Sequence, residues 1–162
     1  MPTVSARGMI DAPQEEVWAA LADIENAGRW NKAWARVEFL GEQRHGLGTV
    51  FRTYSADGGS AEFEVVAWEP PDFLAFAPRS APLRPPADRF LTVESQYFYL
   101  RPNDDGRTEL NLVATASTHG LRGWLMGHLL WPGYQRQGLR RALAAIAALF
   151  EPEPEETEEG VS

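Results

Sequence analysis

The sequence predicts an α+β fold in which one antiparallel sheet of about seven strands packs against helices that lie outside the run of strands. Three observations lead to this prediction. Apolar residues recur at every second position in successive short segments, turn-forming residues separate most of these segments, and helical patterns occur only after the first segment and at the end. Hairpin-linked strands form antiparallel sheets, whereas parallel strands need a helix between them.

The strand-like segments follow one another along the chain after a first segment near the N-terminus. They are 3–10, 35–42, 48–56, 61–69, 73–78, 90–102 and 108–117. The turn sequences "DGGS" (57–60) and "NDDG" (103–106) supply the residues that tight hairpins need. The Pro- and Arg-rich segment 79–89 is predicted to be a loop.

The alternation in segment 61–69 indicates which side chains face the interior. Phe63 and Val65 share one face, while Glu62 and Glu64 share the other. Because the two carboxylates require solvent, we expect Phe63 and Val65 to point inward.

Segment 90–102 leaves two registers open, since a shift of one residue exchanges the two faces of a strand. One register turns Phe98 and Leu100 inward together with Gln96, and the other turns Tyr97 inward. We favour the first. Tyr97 stays a candidate ligand contact, because its hydroxyl could reach a ligand at a strand end or a bulge.

Two helical patterns follow the first strand. Segment 11–25, "DAPQEEVWAALADIE", has a helix start signal and a one-sided apolar face. Segment 24–33, "IENAGRWNKA", predicts a second short helix or a turn that is broken near Gly28.

The last helical region runs from Gly120 to about Phe150. At 100° per residue, its apolar stripe continues backward from the C-terminal end, with Trp124 and Trp131 on the flank. The stripe consists of Leu121, Leu125, His128, Pro132, Gln135, Leu139, Leu143, Ile146 and Phe150. This projection places His128 near the middle of the buried side.

Pro132 predicts a kink or a break in this helix, because it cannot donate a hydrogen bond to the carbonyl of His128. A single kinked helix would close over a partly hollow core. Two helices joined by a loop are equally compatible with the sequence, and in that case the projection fails.

Composition excludes several classes of function. The chain has 162 residues and no cysteine, which fits one domain, 1–150, without disulfides or cysteine chemistry. The net charge is −8, but six glutamates lie in the tail 151–162, which we expect to be disordered. Residues 1–150 have no stripe of basic residues, which argues against a nucleic-acid partner. No signal peptide or bilayer-length apolar run is present, so we expect a soluble cytoplasmic protein without an integral membrane segment.

Four segments together resemble a known group of proteins. They are "IDAPQEEVWAALADIENAGRW" (10–30), "VEFLGEQRHGLGTVFR" (37–52), "EVVAWEPPDFLAF" (64–76) and "GLRRALAAIAALFE" (138–151). With the order of elements, they resemble the START/SRPBCC superfamily, also called the helix-grip or birch-pollen-allergen-like fold. The likeness is greatest to its bacterial polyketide cyclase/dehydrase-type members.

This resemblance implies a curved antiparallel sheet wrapped around a long C-terminal helix, with two short helices after the first strand. It also implies a cavity between sheet and helix that binds lipids, polyketides or other apolar molecules. A few family members catalyse cyclisation or dehydration, but no single catalytic motif runs through the family, so no catalytic residue is carried over.

Aromatic and apolar residues on the predicted inner faces are the candidate ligand contacts. Singly, each is more simply explained as ordinary core packing, whereas a cavity explains the set better. The candidates are Trp30, Trp34, Phe51, Tyr54, Phe63, Val65, Phe76, Tyr97, Phe98, Trp124, Leu125, His128 and Trp131.

His128 is the best polar candidate, either as a hydrogen-bond donor to a ligand or as a general acid or base. The three histidines are scattered without metal-ligand spacing, so we expect no metal and no cofactor. The favoured function is binding of a small hydrophobic molecule. The alternatives are a polyketide aromatase/cyclase or dehydratase that uses His128, and a non-catalytic interaction module that exposes an apolar patch.

Overall fold

The computed structural model describes residues 2–79 and 91–151, and only the backbone of residues 91–94. It confirms the predicted fold class, a curved seven-stranded antiparallel sheet with a long C-terminal helix. The strands are β1 (Thr3–Ile10), β2 (Arg36–Phe39), β3 (Val50–Tyr54), β4 (Ser60–Glu69), β5 (Phe73–Pro78), β6 (Leu91–Pro102) and β7 (Thr108–Thr118). The helices are α1 (Gln14–Ala22), a 3-10 helix (Ile24–Arg29), α2 (Gly120–Leu125), a π-helical turn (Met126–Leu130) and α3 (Trp131–Ala148).

The strand order in the sheet is β1-β7-β6-β5-β4-β3-β2, and every neighbouring pair is antiparallel. The first strand therefore pairs with the last, and β2 forms the opposite edge. On the concave face, alternate residues of β1 and β7 are buried, including Val4, Ile10, Leu110 and Leu112.

The register of β6 follows the favoured prediction. Phe98 and Leu100 are buried on the concave face, whereas Tyr99 is exposed on the convex face. The ring of Tyr97 stacks on that of Phe73 at a centroid distance of 6.0 Å. The tyrosines therefore point away from the C-terminal helix.

Strand β4 contains a register shift between Val65 and Ala67. Because one residue is added there, the alternation of faces is reversed beyond it. Trp68 then points inward, where its ring meets Trp18 of α1 edge to face at a centroid distance of 5.3 Å.

Helix α1 is tied to the sheet by the side chain of Gln14, which is buried. Its Nε2 donates to Asp72 Oδ1 at 2.7 Å and to the carbonyls of Pro71 and Leu100 at 3.2 Å each. One amide group thus joins the helix to the turn after β4 and to β6.

The C-terminal helix is continuous rather than broken, since α2, the π-helical turn and α3 follow one another without a loop. At the end of the π-helical turn, the Trp131 N–H donates to the Met126 carbonyl, five residues back. The wider turn directly precedes Pro132, which lacks an N–H of its own. The chain therefore accommodates the proline with a π-helical turn instead of a loop.

Helix α3 packs mainly on β1 and β7 through Leu139, Leu143 and Ile146. Gly8 of β1 allows close approach, with the position of its missing Cβ 3.7 Å from a Leu143 methyl carbon. Among the residues that the structure describes, no helix combines the length and the apolarity needed to cross a bilayer. Apart from Arg79, the predicted loop 79–89 lies outside the described residues, as does the acidic tail after Glu151.

Candidate functional site

A cavity of about 820 Å³, roughly half open to solvent, lies between the concave face of the sheet and α3. Four parts of the chain form its walls: the loop after the 3-10 helix, the β3–β4 hairpin, the middle of β6 and β7, and the first turns of α3. The lining residues are 30–34, Thr53, Ser55, 59–61, Phe63, 96–98, Leu112, Val113, 134–135, 137–139, Arg141 and Ala142. This volume is in the range of small-molecule sites.

An aromatic cluster centred on Trp34 forms one wall of the cavity. The Trp34 ring lies 5.3 Å from Phe63, 5.7 Å from Phe51 and 6.0 Å from Trp30, measured between centroids. Most of these pairs are tilted or edge to face, which are the favoured arrangements of aromatic rings. Trp30 in turn meets Phe98 edge to face at 5.5 Å.

Backbone hydrogen bonds hold Trp34 in this place. Its N–H donates to the Asn31 carbonyl at 3.1 Å, and the next N–H, that of Ala35, donates to Tyr54 in β3 at 2.7 Å. Gly28 of the 3-10 helix lies so close to the Trp34 carbonyl that a Cβ there would be 2.7 Å from its oxygen. The sequence predicted a break near Gly28, but the 3-10 helix runs through Gly28 to Arg29, and its non-helical residue is Asn26 (φ −103°, ψ 18°).

Polar groups occupy the other walls. Gln96 of β6 and Gln135 of α3, both half-buried, line the cavity, and the two charged lining residues are Lys32 and Arg141. No carboxylate lies among the lining residues that the structure describes. Trp30 Nε1 is buried and has no hydrogen-bond acceptor in the described part of the chain. Such an unsatisfied donor costs about 1–3 kcal/mol.

Five of the predicted contacts border the cavity. They are Trp30, Trp34, Phe63, Tyr97 and Phe98. The Tyr97 ring points to the convex face, however, so its hydroxyl is not turned toward α3 as the alternative register required.

Four further predicted contacts, Phe51, Val65, Phe76 and Trp131, are buried but do not border the cavity. Phe51 and Phe76 pack edge to face at a centroid distance of 5.4 Å, behind Trp34. For these residues core packing is the better description.

Tyr54 lies on the convex face, because Phe51 and Thr53 occupy the buried side of β3. Its hydroxyl donates to Glu38 Oε2 at 2.6 Å, and the Arg36 guanidinium lies over its ring at 4.1 Å from the centroid. The prediction that Tyr54 faces the cavity is wrong.

The predicted position of His128 on the buried side of the helix is also wrong, as are those of Leu125 and Leu121. The imidazole is exposed, stacks on Trp124 at 4.9 Å, and donates from Nδ1 to the Trp124 carbonyl at 2.8 Å. The π-helical turn is the reason. One extra residue per turn rotates everything before it by about 100° relative to a regular helix.

Sequence reasoning missed most of the polar lining. Gln135 was assigned to the stripe without a role, and Lys32, Thr53, Gln137 and Arg141 were not singled out. The signal that could have found Gln135 is its position one turn before Leu139, where the apolar stripe is interrupted. Lys32 lies in a loop, for which periodicity gives no signal, while Gln137 and Arg141 lie on α3 beside the apolar stripe rather than on it.

Among the residues described, no group of three or more histidines, aspartates or glutamates could hold a metal ion. The lining offers rings, carboxamides, hydroxyls and two cations. Chemically, these groups can enclose apolar surface and orient an acceptor or an anionic group.

Comparison with known families gives a match over nearly the whole chain. The model of the family described as polyketide cyclase / dehydrase and lipid transport matches residues 1–151. A search of curated proteins finds no significant match.

Solved structures with the same fold are numerous. A protein from Nitrosospira multiformis superposes with a TM-score of 0.73 at 16% identity, covering 94% of this chain and 98% of that one. A protein from Arthrobacter aurescens gives 0.65 at 23% identity, with 98% and 92% covered. The di-domain ARO/CYC BexL from the BE-7585A biosynthetic pathway gives 0.70 at 16% identity, with 91% and 46% covered. At these identities the likeness concerns the fold.

Proposed function

We propose that this protein, which belongs to the polyketide cyclase / dehydrase and lipid transport family, binds a small and mainly apolar molecule between the sheet and α3. The family has a ligand-binding fold of the SRPBCC type. The observation that carries the proposal is the 820 Å³ cavity, walled by the Trp34 cluster on one side and by α3 on the other.

The lining favours a molecule that has an apolar body and a hydrogen-bond acceptor or an anionic end. The rings of Trp30, Trp34 and Phe63 provide apolar surface, and Lys32 and Arg141 provide positive charge at the border.

Catalysis by His128 is not part of this proposal. The imidazole does not border the cavity, and its Nδ1 already donates to a backbone carbonyl. The cyclase alternative thereby loses the acid or base on which it depended.

Gly138 offers a direct test, because it borders the cavity and a Cβ there would meet no atom within 4 Å. A Gly138→Phe side chain would therefore start in open space at the border of the cavity, where its ring can reach the space that a ligand would fill. Gly133 has the same open surroundings on the same helix but does not border the cavity, which makes Gly133→Phe the matched control.

The probe is N-phenyl-1-naphthylamine, a neutral apolar fluorophore, titrated into the wild type and both variants. We expect Gly138→Phe to weaken its binding by about tenfold, or about 1.4 kcal/mol, and Gly133→Phe to leave it unchanged. Equal affinities of the wild type and Gly138→Phe would contradict binding in this cavity. Thermal unfolding of both variants checks that the fold is retained.

A further inference from the structure

An exposed apolar surface covers the first part of the C-terminal helix. Its members project from α2 and the π-helical turn, and we call them the helix surface. They are Leu121 (82% exposed), Trp124 (53%), Leu125 (51%), Leu129 (67%) and Leu130 (69%). Tyr134, 78% exposed, continues it to the border of the cavity.

Packing of the fold does not require these side chains. The buried side of the same stretch consists of Gly123, Gly127 and Trp131. Since two of these three are glycines, the stretch adds little apolar area to the core, while its large side chains point to solvent. A contiguous exposed apolar surface of this kind marks an interaction site.

The charge around the helix surface has one sign. The chain has a net charge of −8, yet residues 110–150 contain no aspartate or glutamate. They contain four arginines, Arg122, Arg136, Arg140 and Arg141, all of them exposed. Within the described residues, none of the four forms a salt bridge.

We propose that the helix surface docks onto an anionic lipid bilayer, with its leucines and Trp124 inserted among the headgroups and the arginines paired with acidic lipids. Exposed leucine and tryptophan accompanied by arginine is a composition that this helix shares with helices that lie in a membrane interface. A second copy of the chain is a poorer occupant. A two-fold dimer brings the same surface together twice, so unpaired arginines would meet arginines with no carboxylate between them.

The first experiment measures co-flotation of the full chain with vesicles of phosphatidylcholine alone or with phosphatidylglycerol added. We expect the wild type to bind the anionic vesicles at least about tenfold more strongly than the neutral ones, because each arginine near an anionic surface adds roughly 1 kcal/mol. High salt should reverse most of this gain.

Leu125→Glu combined with Leu129→Glu tests the apolar contribution. Both side chains are exposed, so the fold should be kept, while binding to anionic vesicles should fall by about tenfold or more. The control is Leu47→Glu, an equally exposed leucine in the loop between β2 and β3, which should bind as the wild type does.

Trp124 provides a spectroscopic readout, since the other five tryptophans are buried or half-buried. Anionic vesicles should shift the tryptophan emission of the wild type to shorter wavelength. Trp124→Phe should abolish the shift and keep the binding.

Three results would overturn the proposal: no binding to either kind of vesicle, equal binding to both, or binding that the two glutamate substitutions leave intact. Light scattering tests the other occupant of the helix surface, a second copy of the chain, by measuring the oligomeric state. A wild-type dimer that the Leu125→Glu and Leu129→Glu variant converts to a monomer, without vesicle binding, would assign the helix surface to self-association instead. Cavity binding of N-phenyl-1-naphthylamine is a separate measurement, so either proposal can fail alone.

Discussion

Gly28→Ala should destabilise the protein far more than a glycine-to-alanine change usually does. The added Cβ would lie 2.7 Å from the Trp34 carbonyl oxygen, whereas close carbon–oxygen contacts in proteins are about 3.3–3.6 Å. The backbone fixes the positions of both the added Cβ and the Trp34 carbonyl oxygen, so no side-chain rotation relieves the overlap. The loop must move by several tenths of an ångström, together with the buried Trp34 ring and its aromatic neighbours.

The cost follows from opposing terms. Overpacking of a core costs about 1–3 kcal/mol, while replacing glycine in the unfolded chain returns about 0.4–1 kcal/mol. We expect a net loss of about 1–2 kcal/mol in the free energy of unfolding, which lowers Tm by about 2–8 °C in a domain of this size.

Urea unfolding followed by tryptophan emission measures this loss. Gly41→Ala is the control, because a Cβ at Gly41 meets nothing within 4 Å, and it should stay within about 0.5 kcal/mol of the wild type. If Gly28→Ala were as stable as Gly41→Ala, the close contact would not be what positions Trp34.

Two further predictions concern polar groups. Gln14→Glu replaces a donor by a carboxylate among acceptors that include Asp72, and should cost about 2–3 kcal/mol at pH 7. Burial next to acceptors favours the protonated form of the introduced glutamate, so the loss of stability relative to the wild type should shrink as the pH falls toward about 4. Urea unfolding at several pH values measures this loss. A loss of stability that did not change with pH would contradict this explanation. In the β6–β7 turn, hydrogen bonds from the Arg107 side chain and backbone N–H lower the pKa of Asp105 below its ordinary value. Arg107→Ala should raise the pKa of Asp105 without restoring it fully, since the backbone N–H remains. Any stability that the pair contributes should be present above the ordinary aspartate pKa and lost as the pH falls through the lowered pKa. An NMR titration of the Asp105 carboxyl in both proteins checks this prediction.

The architecture could be predicted from the sequence because the spacing of apolar residues and the turn residues of the hairpins are local signals. The tertiary contacts of the fold agree with these signals. Phe63 and Val65 are buried as the alternation required. Continued past Val65, the same alternation would turn Trp68 outward, but the register shift there reverses the faces and has no signature in the pattern of residues.

The helix shows the limit of projection most clearly. From Leu139 onward the predicted stripe is the buried one, but before Pro132 it is wrong by one residue. A proline indicates that the regular hydrogen bonds of the helix are interrupted, yet a kink, a loop and a π-helical turn can all accommodate the missing N–H. Only the last of these turns His128 outward while keeping the helix continuous.

The polar part of the site was out of reach for a related reason. Lys32 and Thr53 are brought together by the sheet and by a loop, and separate residues of this kind carry no periodic mark. The aromatic residues were easier to select, because large rings are buried in most folds; dividing them into cavity wall and solid core required coordinates.

The placement of α3 over β1 and β7 has a consequence for the concave side of the sheet, where the helix packs and where the cavity lies. Helix α3 contacts β1 most extensively, and β1 contributes none of the described lining residues, whereas the β3–β4 hairpin and the loop 30–34 line the cavity. Substitutions in the hairpin and in that loop should therefore change the shape of the cavity while the packing of α3 on β1 is kept.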